Sequence, residues 1–270
     1  MKALRIITIL LFVLSLALYL GVSFRYEMVL DRVSPQIRCE SEVLEVSVHA
    51  TDATLLAGVT AQDNRDGDLT GRIMIQGISR LLTENTARIT YVVADSSGNI
   101  ASCSRILQYT DYENPRLSLT KMPVYRTYPD DDAMDKLHAA LSAWDVRDGD
   151  LSEDIVVVNQ SADEGIEGES YATVQVINSM GGTEVIPLII VLDNEGAVNP
   201  LVTLREYITY IEQGAEFDPT DYVLTLNGEA YDGANPALRI HSEVDTAVPG
   251  VYQVRYRFKD FTVYLAVVVR

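Results

Sequence analysis

The chain has 270 residues, 47% of them apolar, which is enough for two or three packed domains and excludes wholesale disorder. Lys and Arg number 21 against 39 Asp and Glu, a formal charge of −18. No cationic cluster offsets this, so nucleic acid is excluded as a partner, and the acidity suits a solvated surface that binds divalent cations or is simply kept soluble.

The first element is a targeting segment. Lys2 and Arg5 precede an unbroken apolar run from Ile6 to Val22. At about 1.5 Å per residue this run makes about 25 Å of helix, near the lower limit for a membrane span. Phe24 and Tyr26 follow at the expected outer interface, and the cations place the N-terminus in the cytoplasm. The expectation is an uncleaved single-pass anchor at the cell membrane with the C-terminal domains outside. The alternative is a cleaved signal peptide and a secreted protein, for which Gly21-Val22-Ser23 is a poor cleavage site.

Beyond the anchor the chain reads as short alternating strands rich in Val, Ile, Thr and Tyr, such as Leu44–Val48, Arg88–Val93, Tyr171–Ile177, Val251–Phe258 and Phe261–Val269. One further helix is predicted, over Asp131–Ser142, with no helical counterpart in the first repeat. Three strands open on Pro, at Pro35, Pro115 and Pro200, where a missing N–H is tolerated. A second marker occurs twice. Ala61-Gln62-Asp63-Asn64-Arg65-Asp66-Gly67-Asp68-Leu69 aligns without a gap on Ala143-Trp144-Asp145-Val146-Arg147-Asp148-Gly149-Asp150-Leu151. A third is the hairpin turn, Asp95-Ser96-Ser97-Gly98-Asn99 against Asn178-Ser179-Met180-Gly181-Gly182. Tyr256 and Asp260 stand as far beyond Tyr91 and Asp95 as Pro200 stands beyond Pro35, so a third repeat is in register although it lacks Asp-Gly-Asp. Repeats of about 80 residues fit antiparallel sandwiches, and the short linkers Asp111–Asn114 and Asp193–Asn199 predict a semi-rigid rod.

Asp63-Asn64-Arg65-Asp66-Gly67-Asp68-Leu69-Thr70, followed by Ile89-Thr90-Tyr91-Val92-Val93-Ala94-Asp95-Ser96-Ser97-Gly98-Asn99, resembles the bacterial Ig-like domain of Gram-positive cell-surface proteins, which is similar to hyalin-type and cadherin-like repeats. The match is good in the first repeat and partial in the second, where Asn178 replaces the hairpin Asp. In the third it rests on Pro200, Gly214 and Val248-Pro249-Gly250-Val251-Tyr252. The resemblance implies an all-β chain: an N-terminal transmembrane helix and stalk over 1–33, then three tandem immunoglobulin-like β-sandwich domains over 34–111, 112–195 and 196–270. It implies a cell-surface adhesion, interaction or spacer module and brings no catalytic residues.

Catalytic chemistry is not found. His49, His138 and His241 fall singly in separate repeats, each read as a surface or half-buried residue rather than a zinc ligand. No nucleophile elbow or phosphate loop occurs, and Trp144 is expected in the core rather than as a stacking platform. Cys39 and Cys103 lie on the first and last strands of the first repeat, neighbours in such sandwiches, and in an exported protein they are expected to be bridged or to be buried thiols.

The acidic turns are the one site-like feature. One end of the first sandwich would gather Asp63, Asp66 and Asp68 with Asp95 and Asn99. The linker acids Asp111 and Glu113 would approach Asp145, Asp148 and Asp150 in the second. Oxygen ligands in such numbers suit Ca²⁺, although no cofactor is required and the same acids cap turns by local hydrogen bonds. The expected partners are the membrane, through the helix, and a protein or cell-wall glycan ligand. A non-enzymatic subunit of an envelope assembly or export complex is the alternative, and a hydrolase a distant third.

Overall fold

The computed structural model describes residues 2–29, 31–121, 124–125, 131–160, 169–192 and 200–270. They fall into two compact units, Met1–Asp111 and Tyr112–Arg270.

The first unit opens with helix α1, Lys2–Val29. Its large apolar side chains between Ile6 and Val22 are 43–68% exposed. Left in water, that surface would be costly. By length and composition, the 19 residues Arg5–Ser23 can cross a membrane or serve as a signal sequence. The side chains of Phe24 and Tyr26 lie outside the described residues.

Seven strands follow: β1 (Gln36–Cys39), β2 (Val43–Val46), β3 (Val59–Asp63), β4 (Gly67–Asp68), β5 (Met74–Ile78), β6 (Thr86–Ala94) and β7 (Ile100–Tyr109), with a single helical turn, α2 (Asp52–Leu55), between β2 and β3. They form a three-stranded sheet, β1-β3-β4, and a four-stranded sheet, β2-β7-β6-β5. Strand alternation supplies the core. On β6, Ala87, Ile89, Tyr91 and Val93 are buried while their neighbours are more exposed. Burying a side chain such as Ile89 or Val93 contributes about 1.5–3 kcal/mol. Cys39 on β1 and Cys103 on β7 are disulfide-bonded.

The second unit holds two more sheet pairs. Strands β8 (Arg116–Leu119), β9 (Val124–Tyr125), β10 (Leu141–Asp145), β11 (Gly149–Asp150), β12 (Val156–Gln160), β13 (Glu169–Ile177) and β14 (Thr183–Leu192) form sheets β11-β10-β8 and β12-β13-β14-β9. Strands β15 (Val202–Leu204), β16 (Ile208–Ile211), β17 (Val223–Leu226), β18 (Glu229–Ala230), β19 (Leu238–Ser242), β20 (Gly250–Phe258) and β21 (Phe261–Val269) form β15-β17-β18 and β16-β21-β20-β19.

The same wiring therefore occurs three times. The strand beginning just after Pro35, Pro115 or Pro200 pairs antiparallel with the third or equivalent strand. The chain then crosses to the other sheet and pairs parallel with the last strand, as Val43↔Ile106, Val124↔Val191 and Ile208↔Ala266. This wiring fits immunoglobulin-like sandwiches. The tyrosine register holds too. Tyr91 donates its hydroxyl to Leu55 O at 2.6 Å, and Tyr256 donates to Pro219 O at 2.8 Å. In the first pair, buried Arg105 reinforces this tie by donating to Tyr91 Oη and to the carbonyls of Leu55 and Ala57.

The structure departs from the sequence reading at several points. The second helix, α3, covers Asp131–Ala140, because Leu141 is already paired with Leu119 in a sheet. Its first-repeat counterpart includes the α2 turn, capped by Thr51. Trp144 is not in the core: on β10, Leu141, Ala143 and Asp145 point inward, which leaves Trp144 outward and 65% exposed. The third repeat lacks Asp-Gly-Asp but closes the equivalent hairpin with a tighter, two-residue turn in place of the three residues between Asp63 and Gly67: Asn227-Gly228 at φ of +54° and +83°, the backbone that an Asn-Gly turn supplies. His49 and His241 are exposed and His138 is half-buried.

The second and third sheet pairs share one continuous core. Tyr210 Oη accepts the Leu117 N–H at 2.8 Å, and the guanidinium of Arg270 lies 4.4 Å over the Tyr210 ring and 3.6 Å from Glu184. The expected linker Asp193–Asn199 lies outside the described residues, and these contacts hold the two sheet pairs without it.

Candidate metal centre

The tip of the first sheet pair is built from the β3–β4 hairpin, the β6–β7 turn and the segment that enters from α1. In the β3–β4 hairpin, Gly67 at φ +75° lets the chain reverse. Asp63 Oδ2 closes the reversal by accepting the N–H groups of Arg65 and Asp66, at 2.7 and 2.9 Å. Asp66 reaches across to the other turn and accepts the Ser96 N–H at 2.6 Å and its hydroxyl at 2.8 Å. Asp68 turns back on Thr70, whose hydroxyl and N–H hold its carboxyl below the ordinary range.

Among the described residues, the acids that converge are Asp31, Asp63 and Asp95, with one carboxylate oxygen of each within 4.8 Å of the others. Asp31 and Asp95 are 6% and 8% exposed. Burial works against the Asp95 carboxylate, but the Asn99 side chain and the N–H groups of Asn99, Ser97 and Gly98 outweigh it and hold its pKa below the ordinary value. Asp31 Oδ1 accepts the Val33 N–H, and its Oδ2 lies 3.5 Å from Arg65 Nε. Asn99 Nδ2 joins the parts by donating to Asp95 Oδ2 at 2.7 Å and to Asp31 O at 2.9 Å. Asp63 Oδ1 is sealed from solvent and has no hydrogen-bond partner.

The second repeat shows what that oxygen is missing. Asp145 Oδ1 accepts the N–H groups of Arg147 and Asp148, as Asp63 Oδ2 does in the first. Asp145 Oδ2 accepts from Asn178 Nδ2 at 2.9 Å, and the same amide donates to Tyr112 Oη at 3.1 Å. Tyr112 occupies the segment that leads to Pro115, as Asp31 occupies the segment that leads to Pro35. Burial and the charges of Asp145 and Asp148 push the Tyr112 hydroxyl up against the Asn178 bond, so it stays a neutral donor. Two carboxylates in the first repeat thus stand where an amide and a hydroxyl stand in the second. The second tip is satisfied by its own hydrogen bonds, whereas the first has a clustered negative charge and an orphan oxygen, a donor set that suits a hard divalent cation.

The other acids have other partners. Asp148 accepts the N–H and hydroxyl of Ser179, repeating the Asp66 latch. Asp150 accepts from Ser152, whose hydroxyl and N–H lower its pKa. Asp111 accepts the Ser47 hydroxyl at 2.6 Å and the Val48 N–H at 2.8 Å, and Glu113 pairs with Arg116 at 2.7 Å. The structure therefore unites Asp63, Asp95 and Asn99 and gives Asp66, Asp68, Asp111, Glu113, Asp148 and Asp150 structural hydrogen bonds or ion pairs. Asp31 was not among the expected ligands. Its signal was its place four residues before Pro35, in the segment that must arrive at this tip.

No protein-family model matches the chain, and no curated protein matches it. Solved structures similar to it include CBM51-2 with INT domains of ZmpB from Clostridium perfringens, in complex with GlcNAc, at 14% identity and a TM-score of 0.24, covering 60% of this chain and 42% of that one. The lipoprotein BT2262 from Bacteroides thetaiotaomicron matches at 12% identity and a TM-score of 0.21, covering 86% and 98%. The Protocadherin GammaB4 extracellular domain matches at 12% and 0.21, covering 87% and 49%. The chain spans less than half the length of the ZmpB chain, and likenesses this distant carry no argument about ligand or partner.

Proposed function

We propose that the chain is a membrane-anchored, extracytoplasmic protein of three Ig-like domains that works by contact, as a cell-surface interaction or spacer module, and that its first domain holds a divalent cation of the Ca²⁺ class. The exposed apolar surface of α1 supports the anchor. The observation that carries the site is Asp63 Oδ1, buried without a partner where the second repeat supplies an amide. Asp31, Asp63 and Asp95 would be the protein's ligands. The ion would neutralise charge that Arg65, 3.5 Å from Asp31, offsets only in part. Asn99 would hold Asp95 and the entering backbone in place.

Protease shaving of intact cells tests the anchor. The expected result is a carbonate-resistant membrane protein whose β domains are digested from outside. A full-length chain in the soluble cytoplasmic fraction would overturn it.

A further inference from the structure

Asp31 differs from the other two acids of the cluster because it belongs to the connection between the anchor and the first domain. It lies two residues beyond Val29, where α1 ends, and five before Gln36, where β1 begins. Resting on the cation site proposed above, we infer that the bound ion locks the membrane anchor to the first domain, so that divalent-cation level sets whether helix and domain move together. The polar contacts tying residues 31–33 to the tip are centred on the acid cluster. Asn99 Nδ2 donates to Asp31 O at 2.9 Å and to Val33 O at 3.4 Å, and Arg65 Nε lies 3.5 Å from Asp31 Oδ2. Asn99 is itself held by Asp95. With no cation, three carboxylates within 4.8 Å repel one another. Asp31 is the member that can leave by moving a connecting segment rather than a hairpin of the sheets. With a cation bound, leaving requires giving up a ligand. The Cys39–Cys103 bridge and the apolar core of the first domain involve none of the three acids, so the ion governs a joint and not the fold.

Arg32 provides the readout: its side chain is exposed, but Asn99 holds the carbonyls of Asp31 and Val33 on either side of it, so residues 31–33 must lift from the tip before trypsin can seat this stretch in extended form. The full chain in detergent micelles is digested with and without Ca²⁺, and the cut after Arg32 is compared with the cut after Arg80, an exposed residue on the connection between β5 and β6. At a free Ca²⁺ ten times the Kd measured by calorimetry, cleavage after Arg32 is expected to slow about tenfold, since opening that requires ion release is suppressed by one plus the ratio of ligand to Kd. Cleavage after Arg80 should not change. Asp63→Asn, which leaves residues 31–33 untouched, should make the Arg32 cut insensitive to Ca²⁺. Calorimetric binding with unchanged Arg32 cleavage would overturn the lock and leave the site standing. No binding at all would overturn both.

Discussion

Exchanging the chemistry of the two tips is the sharpest perturbation. Asn178→Asp is nearly isosteric, and the new carboxylate still accepts the Gly182 N–H that Asn178 Oδ1 accepts at 2.7 Å. It removes the donor to Asp145 Oδ2 and to Tyr112 Oη. Asp145 is 1% exposed, so its oxygen cannot turn to water. A hydrogen bond to a buried charged group is worth about 1.5–3 kcal/mol, and a second carboxylate alongside adds repulsion that the Tyr112 hydroxyl relieves by donating to one of the two. The net loss expected is about 2–4 kcal/mol, or a fall in Tm of about 5–12 °C for a unit of this size. Lowering the pH should narrow the gap to wild type, because a proton shared by the pair restores the lost bond and the folded-state pKa is the raised one. Millimolar Ca²⁺ should also narrow it, giving the second tip a response that the wild-type tip lacks. Thermal unfolding followed by calorimetry across pH and Ca²⁺ measures all three effects. A loss under about 0.5 kcal/mol, with no dependence on either, would refute the idea that Asn178 does the work of a cation.

The reciprocal change, Asp95→Asn in the first domain, should remove the Ca²⁺ response and lower the metal-free Tm, because it takes away the carboxylate oxygen that accepts the Asn99 amide; both are visible in the same scans. Reducing the Cys39–Cys103 bridge, which spans 64 residues, should cost the first domain roughly 4 kcal/mol in the chain-entropy picture, measured by denaturant unfolding with and without reductant. Trp144, the sole tryptophan, should emit as a water-exposed indole open to acrylamide quenching, and Trp144→Ala should change stability by less than about 1 kcal/mol; a blue-shifted, protected emission would place it in a core instead. The Ser47 hydroxyl and the Val48 N–H hold the Asp111 carboxyl below its ordinary range. Its contribution is therefore fully present above about pH 4 and lost as pH falls through the lowered folded value, so Asp111→Ala should destabilise at neutral pH and converge with wild type in acid.

Much of the fold was legible because strand periodicity and turn chemistry are local. Pro35, Pro115 and Pro200 mark where each first strand begins. Tyr91 and Tyr256, read as one register position, make the same bond to a loop carbonyl. The site was legible only in outline. Asp63-x-x-Asp66-Gly67-Asp68 gives the spacing of a turn, and spacing does not say which oxygens face the tip. Asp66 and Asp68 instead serve Ser96 and Thr70. Asp31 was missed because the arriving segment was weighed for the second repeat, through Asp111 and Glu113, and not for the first. Trp144 was placed inside because a lone Trp favours burial. On β10 the parity set by Leu141 and Ala143 carries Asp145 inward to meet Asn178, and Trp144 outward. The contact that joins the second and third sheet pairs involves Tyr210, Glu184 and Arg270, which bear no local mark of it in the sequence.

Isothermal titration of the full-length chain in detergent with Ca²⁺ tests the cation site most directly. One ion per chain is expected, with binding lost in Asp63→Asn and kept in Asp148→Asn, because the second tip is already satisfied by Asn178 and Tyr112. No binding at millimolar Ca²⁺, or two equivalent sites of which one disappears with Asp148→Asn, would contradict it.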